Sequence, residues 1–285
     1  MTIFVRRATA LALVVALLVS CTNDVPEKSA SPLENATVAV GMVNDAPGLS
    51  IGTTRLAGFD VDLTAALGRN LNSQMPPTLL TAGDRDGFIL LKKATIVVAA
   101  YSITPKRNQD GVDFAGPYMV TPQAFMVRRN DNRFIGATSV QGKRICTVEG
   151  TTGEPVELPG SVPSHAPSHQ GCVDLVAHGD ADALFTDELI LYGFTHANPG
   201  KFKVVLPGVI GSLQYYGVGL LRNRHADCER LNAAIKLYLQ TQWRRDFQDT
   251  LQDAVAAYPG NDPSGDFESH FKPTDTDMND LSCKL

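Results

Sequence analysis

An arginine just past the end of an apolar run is the first residue in this chain whose type and placement could do chemistry. Ile96–Tyr101 reads as a buried strand, and Ser102, Thr104 and Pro105 break it, so Arg107 falls just beyond a strand's C-terminal end. Ligands of open α/β sheets bind at that edge. A guanidinium there can hold both oxygens of a carboxylate in its planar fork and cannot lose its charge. The competing reading of Arg107 is a solvated loop arginine. Asp187 ends a second apolar run, Ala183–Thr186, and opens a helix over Glu188–Gly193. It is either an N-cap or an acid placed at a strand edge. Gly150, Thr151, Thr152 and Gly153 follow the strand-like Lys143–Val148. As a turn before a helix they could offer backbone N–H groups and hydroxyls to an anion, or simply cap the helix.

Three other patterns are weaker. Gly48, Ser50 and Gly52 match the G-x-S-x-G spacing of a hydrolase nucleophile, but loop sequence (Thr53–Gly58) stands where that motif needs a helix. His165, His169 and Cys172 have ligand-like spacing, yet a closed zinc site needs four ligands and Cys172 is a candidate for a disulfide. Asp60 and Asp62 lie in the first turn of a helix expected over Gly58–Leu71, where their negative charge is favourable without any catalytic role. Nothing in the sequence calls for a cofactor or a metal.

The elements that must position these residues alternate between strand and helix, which argues for an α/β architecture. Strands are expected over 37–43, 78–81, 202–206 and 215–221, and helices over 84–93, 172–178 and, amphipathic and unbroken, 227–251. Trp243 reads as core filler in the last of these, and beyond Pro259 the chain reads as a polar tail. The 285 residues are enough for two compact lobes. The net charge is −5 and the 25 Lys and Arg are scattered, so no nucleic-acid footprint is present.

The N-terminus carries Arg6 and Arg7, then an apolar run from Ala8 to Val19, too short to span a bilayer comfortably. The run ends Leu18-Val19-Ser20-Cys21, which resembles a bacterial lipobox and implies cleavage before Cys21 and lipidation of its thiol. Export implies an oxidising setting, and the remaining Cys146, Cys172, Cys228 and Cys283 allow three pairings.

The stretch Ser102-Ile103-Thr104, Arg107, Val112-Asp113-Phe114, Pro117-Tyr118 resembles a block of the bacterial extracellular solute-binding proteins of family 3, receptors of ABC importers for polar amino acids. Gly58–Leu63, Gly150–Thr152 and Asp182–Leu191 resemble further blocks in the family's order, and Tyr215–Leu221 its return strand. The resemblance covers roughly residues 37–255. One departure is Thr95, where the family carries an Asp.

The resemblance implies a two-lobe, periplasmic-binding-protein-like fold of type II. Two hinge crossings, near 122–127 and 212–217, would join the lobes, with the ligand in the cleft between them. The expected organisation is signal peptide 1–20, tether 21–35, lobe 1 over 36–124 and 215–260, lobe 2 over 125–214, and a tail over 261–285. Arg107 and Ser102 of lobe 1, with Thr151 and Thr152 of lobe 2, would hold a ligand carboxylate. Asp187 would hold its ammonium, and Asp45 and Leu49, in the turn after the first strand, are further candidate contacts. Cys146–Cys172 and Cys228–Cys283 are the favoured pairings, since each would then close within one lobe and the second would staple the tail. The implied ligand is a polar amino acid of the glutamate or glutamine type. Arg55, Arg85 and Lys106 are candidates for its side-chain carboxylate, and nothing in their spacing chooses among them. The expected protein is a lipid-anchored, extracytoplasmic monomer with a membrane permease as partner. A sensor reporting to a membrane signalling protein, or a dehydratase or hydrolase on the same fold, are the alternatives.

Overall fold

The computed structural model describes residues 31–260 and 265–284. The expected signal peptide, the Cys21 lipidation site and the tether up to residue 30 lie outside the described residues. The end of that tether is packed: Leu33 is buried, Ser31 bonds Asp227, and Glu34 pairs with Arg230 at 3.3 Å.

Lobe 1 starts with β1 (Val40–Met42), a small hairpin of β2 (Asp45–Ala46) and β3 (Ser50–Ile51), and helix α1 (Phe59–Leu71). It continues with β4 (Pro77–Leu79), α2 (Arg85–Leu90), β5 (Ile96–Val97), α3 (Pro105–Asp110) and the long β6 (Val112–Thr121). Helix α1 forms because Phe59, Leu63, Ala66 and Leu67 recur on one face, all buried, and Asn72 closes it in the left-handed region at φ 53°. The chain then crosses at Pro122 into lobe 2. That lobe comprises β7 (Gln123–Arg128), β8 (Arg144–Val148), β9 (Val162–Ala166), α4 (His169–His178), β10 (Ala183–Asp187), α5 (Glu188–Ala197) and β11 (Phe202–Val205). A second crossing over 206–213 returns it to lobe 1 as β12 (Gln214–Leu221). The remaining helices are α6 (His225–Thr241), α7 (Trp243–Thr250), α8 (Gln252–Ala257), α9 (Phe267–Phe271) and α10 (Asp275–Leu281).

Each lobe is built on a five-stranded sheet, in the order β4-β1-β5-β12-β6 and β11-β7-β10-β8-β9. Strands β1, β4 and β5 run parallel, and β12 pairs antiparallel with β5 and β6. In lobe 2, β10 is parallel to β8 and antiparallel to β7. The C-terminal ends of β5 and β10, which carry the candidate ligand contacts, therefore belong to different sheets.

Two sequence expectations change. The helix expected over 227–251 breaks at Gln242, whose φ of −130° leaves the helical region. The break turns Trp243 inward, where its Nε1 donates to the Tyr118 carbonyl at 2.9 Å and its ring stacks on Phe247. The tail is not merely polar. Phe267 and Phe271 are buried and stack on Phe247, while α9 and α10 cover β6, the edge strand of the lobe-1 sheet. Covering that edge satisfies backbone groups that would otherwise face solvent; the Cys283 N–H, for example, donates to the Phe114 carbonyl at 2.8 Å. Disulfides join Cys146 to Cys172 and Cys228 to Cys283, with Cα–Cα distances of 5.6 Å in both.

Candidate functional site

Arg107 is the third residue of α3, which begins where Thr104 accepts the Arg107 N–H at 3.2 Å and Pro105 supplies a preset φ. It is no surface arginine, being 6% exposed. Its Nη1 donates to the Ser102 carbonyl at 2.6 Å and its Nε to Asp86 Oδ1 at 3.2 Å, while the guanidinium lies 4.6 Å from the Tyr101 ring centroid. The Tyr101 hydroxyl bonds the same Asp86 oxygen. Two of the five guanidinium N–H groups are thus occupied in orienting the head.

Arg85 shares the other side of Tyr101, its guanidinium 5.4 Å from the ring centroid. Its Nε donates to the Ala82 carbonyl at 2.7 Å, and its Nη1 to the carbonyls of Ala99 and Ala100 at 3.1 and 2.8 Å. Burial, and then the neighbouring Arg107 charge, push its pKa down to about 10, so it stays protonated at neutral pH.

Asp187 ends β10 and precedes α5, but its carboxylate makes no cap bond to the helix. It accepts instead from the Tyr216 hydroxyl of lobe 1 at 2.6 Å. Burial raises its pKa, opposed by the Tyr216 hydrogen bond and by the charges of Arg85, His169 and Arg107. The acid of lobe 2 and the two arginines of lobe 1 thus lie within electrostatic reach of one another.

The lobes are closed on each other around this cluster. A Cβ added to Gly150 of lobe 2 would stand 2.7 Å from the Gly83 Cα of lobe 1, and one added to Gly193 would stand 1.8 Å from the Pro47 carbonyl oxygen. Only a residue without a side chain permits either approach. Asp45 also reaches across, accepting the His169 N–H at the start of α4 at 3.1 Å. Burial pushes the Asp45 carboxyl up, and its bonds and charge interaction with His169 more than offset this, leaving it below the usual range.

The other candidates are placed as follows. Ser102 is buried, and its carbonyl orients Arg107. Leu49 is fully buried in the lobe-1 core. Thr151 and Thr152 are half-buried in a turn that no helix follows, which removes the helix-terminus part of their anion reading. The Thr151 hydroxyl donates back to the Val148 carbonyl at 2.7 Å. Of the three cations considered for a ligand side chain, Arg55 is exposed and Lys106 is exposed and paired with Asp110 at 2.5 Å, whereas Arg85 is buried beside Arg107. Ser50 is buried with its hydroxyl donating to the Val43 carbonyl at 2.6 Å, and Cys172 is held in its disulfide.

A model of the bacterial extracellular solute-binding proteins, family 3, matches residues 38–278. The chain belongs to this family. Among its relatives, the glutamate-binding protein GluB of Corynebacterium glutamicum is 30% identical over 246 residues, covering 80% of this chain and 83% of that protein. GluB of Corynebacterium efficiens is 29% identical over 236 residues, covering 77% and 80%. Solved structures share the two-lobe amino-acid-binding fold. An ancestral arginine-binding protein bound to glutamine superposes with a TM-score of 0.69 at 21% identity, covering 76% of this chain and 98% of that one. An ancestral amino acid-binding protein described as a precursor of cyclohexadienyl dehydratase gives 0.70 at 22%, covering 78% and 100%. The family and these relatives are named for binding. Among the described residues of this family-3 protein, no helix is long and apolar enough to cross a membrane.

Three groups at this family-3 site escaped sequence reasoning. Tyr216 was legible only as one of two adjacent tyrosines on a strand, and alternation buries it while leaving Tyr215 half-exposed. Asp86 carried no signal, because its partners Tyr101 and Arg107 meet it only in the fold. Asp60 was read as a helix-terminus charge. It is instead fully buried, accepting the Ala100 N–H at 2.8 Å and the Tyr118 hydroxyl at 2.9 Å, because the first turn of α1 packs against the end of β5.

Proposed function

We propose that this chain is the extracytoplasmic, lipid-anchored substrate-binding component of an ABC importer, and that its ligand is an acidic amino acid, glutamate or aspartate. The observation that carries this reading is the meeting of Arg107 and Arg85 from lobe 1 with Asp187 from lobe 2. A zwitterion needs one cation and one anion; an acidic side chain needs a second cation. Arg107 takes the α-carboxylate, Asp187 the ammonium, and Arg85 the side-chain carboxylate. The similarity to two glutamate-binding proteins supports the same choice. Because the charges come from both lobes, only the closed form engages all of them. Ligand then shifts the open–closed equilibrium by its differential affinity, and the closed form docks on a permease as a monomer.

A thermal-shift and calorimetry panel of the twenty amino acids, on the mature chain carrying Cys21→Ser, tests this. Stabilisation by glutamate or aspartate, lost in both Arg107→Ala and Asp187→Ala, is the expected result. A shift with none of the twenty would overturn the amino-acid assignment, and a shift confined to arginine or histidine would overturn the acidic one.

A further inference from the structure

Lobe 1 holds a buried carboxylate to which neither the ligand contacts nor the helix macrodipole gives a purpose. Asp60 has no solvent exposure, and its side chain spans from α1 to the turn that follows β5. One oxygen accepts the Ala100 N–H and the other the Tyr118 hydroxyl. Ala100 sits at φ 45°, in the left-handed region that a residue with a Cβ enters at a cost. A charged acceptor on its N–H is a strong local reason for it to stay there. The consequence is directional. With the chain turned at Ala100, the carbonyls of Ala99 and Ala100 both accept Arg85 Nη1, at 3.1 and 2.8 Å. The opposite charges of Asp60 and Arg85 also interact through this short stretch of backbone.

We propose that Asp60 is a positioning residue for ligand specificity: by pinning Ala100 in its left-handed turn it aims two carbonyls at Arg85 and fixes that guanidinium in the interlobe cleft. The inference rests on the reading of Arg85 as the side-chain contact. Asp60 itself touches no ligand. Its effect should therefore be felt by ligands that need Arg85 as a charge and little by those that do not.

The test is calorimetric titration of the mature Cys21→Ser chain with L-glutamate and L-glutamine. The variants are Asp60→Asn, Arg85→Met, their double, and Asp60→Asn with Ala100→Gly. Asp60→Asn should weaken glutamate about 10-fold and glutamine less than about 3-fold, and the double should lose little beyond Arg85→Met, as expected for residues acting through one another. Ala100→Gly should restore part of the glutamate affinity, because glycine takes a positive φ without assistance. Equal weakening of both ligands, multiplicative losses in the double, or no rescue would leave Asp60 a purely structural residue and overturn the proposal. If melting curves show Asp60→Asn unfolded, Ala100→Val carries the test. A β-branched residue resists positive φ, so it should lower the ratio of glutamate to glutamine affinity, and an unchanged ratio overturns the proposal. If the wild type binds neither ligand, it is the acidic-ligand reading that fails. The Asp60–Arg85 link is then read from hydrogen exchange of the ¹⁵N-labelled Arg85 Nε–H. Faster exchange in Asp60→Asn supports the link, and an unchanged rate overturns it.

Discussion

The Tyr216 hydroxyl, on the strand that returns to lobe 1, donates a 2.6 Å hydrogen bond to Asp187 Oδ2 at the edge of the lobe-2 sheet. The bond joins the two lobes at the acid expected to hold the ligand's ammonium group. It stabilises the charged form of Asp187 against its burial, and it exists only while the lobes are together. Tyr216→Phe removes the bond and leaves the ring. A hydrogen bond to a charged group contributes about 1.5 kcal/mol or more, so ligand affinity should fall about 10-fold. Calorimetry checks this, and an unchanged Kd would show that Asp187 needs no support from lobe 1.

Asp86 orients Arg107 through its Nε and simultaneously bonds Tyr101. Asp86→Ala should leave the fold intact, because this carboxylate is partly exposed at 38%. It should weaken every amino-acid ligand alike, by about 3- to 30-fold, since the α-carboxylate is common to all of them. A loss confined to acidic ligands would instead assign Asp86 to the side-chain end of the site.

The two disulfides differ in the span of chain they close, 26 residues for Cys146–Cys172 and 55 for Cys228–Cys283. Loop-closure entropy gives roughly 3.5 and 4 kcal/mol respectively, on a model that treats the unfolded chain as unstructured. Cys228→Ser with Cys283→Ser should lower the melting temperature and also expose β6, because the tail that covers that edge loses its anchor. Hydrogen exchange of the β6 amides is the measurement. Unchanged protection there would show that Phe267 and Phe271 hold the tail without the bridge.

Stability and binding should respond to acid in opposite directions. Burial raises the Asp60 carboxyl from 3.8 to about 6, opposed by the Ala100 and Tyr118 bonds and the Arg85 charge. Between those values the folded protein binds more protons than the unfolded chain. The Asp60 contribution to stability is therefore fully present below about 3.8 and lost as pH rises through about 6, a swing of roughly 3 kcal/mol. Asp131 has the opposite sign. Its hydrogen bond from Arg133 holds it at about 2, so its contribution is present above 3.8 and lost as pH falls through about 2. From pH 7 to 5 the affinity should fall, as Asp60 and Asp187 take up protons, while the Asp60 contribution to stability grows. Urea denaturation at pH 4.5 and 7 should show that slope in the wild type and not in Asp60→Asn; the same slope in both would remove Asp60 as its source.

The sequence by itself determined which stretches would be strands and helices, and in what order. Apolar runs such as Ile96–Tyr101 and Ala183–Thr186 bury themselves wherever the chain goes, and the apolar face of Phe59–Leu67 specifies a helix from local spacing alone. It also singled out Arg107 and Asp187, because a charge directly after a buried run has few places to lie. What only the tertiary structure decided was which charges share one space. Arg55, Arg85 and Lys106 are equivalent as sequence, and burial beside Tyr101 separates Arg85 from the other two. Asp60 and Ala100 stand 40 positions apart, so no local pattern could announce their hydrogen bond. The same limit explains the break at Gln242 and the packing of Phe267 and Phe271. Their partners lie on other elements, and contacts distant in sequence leave no periodicity to read.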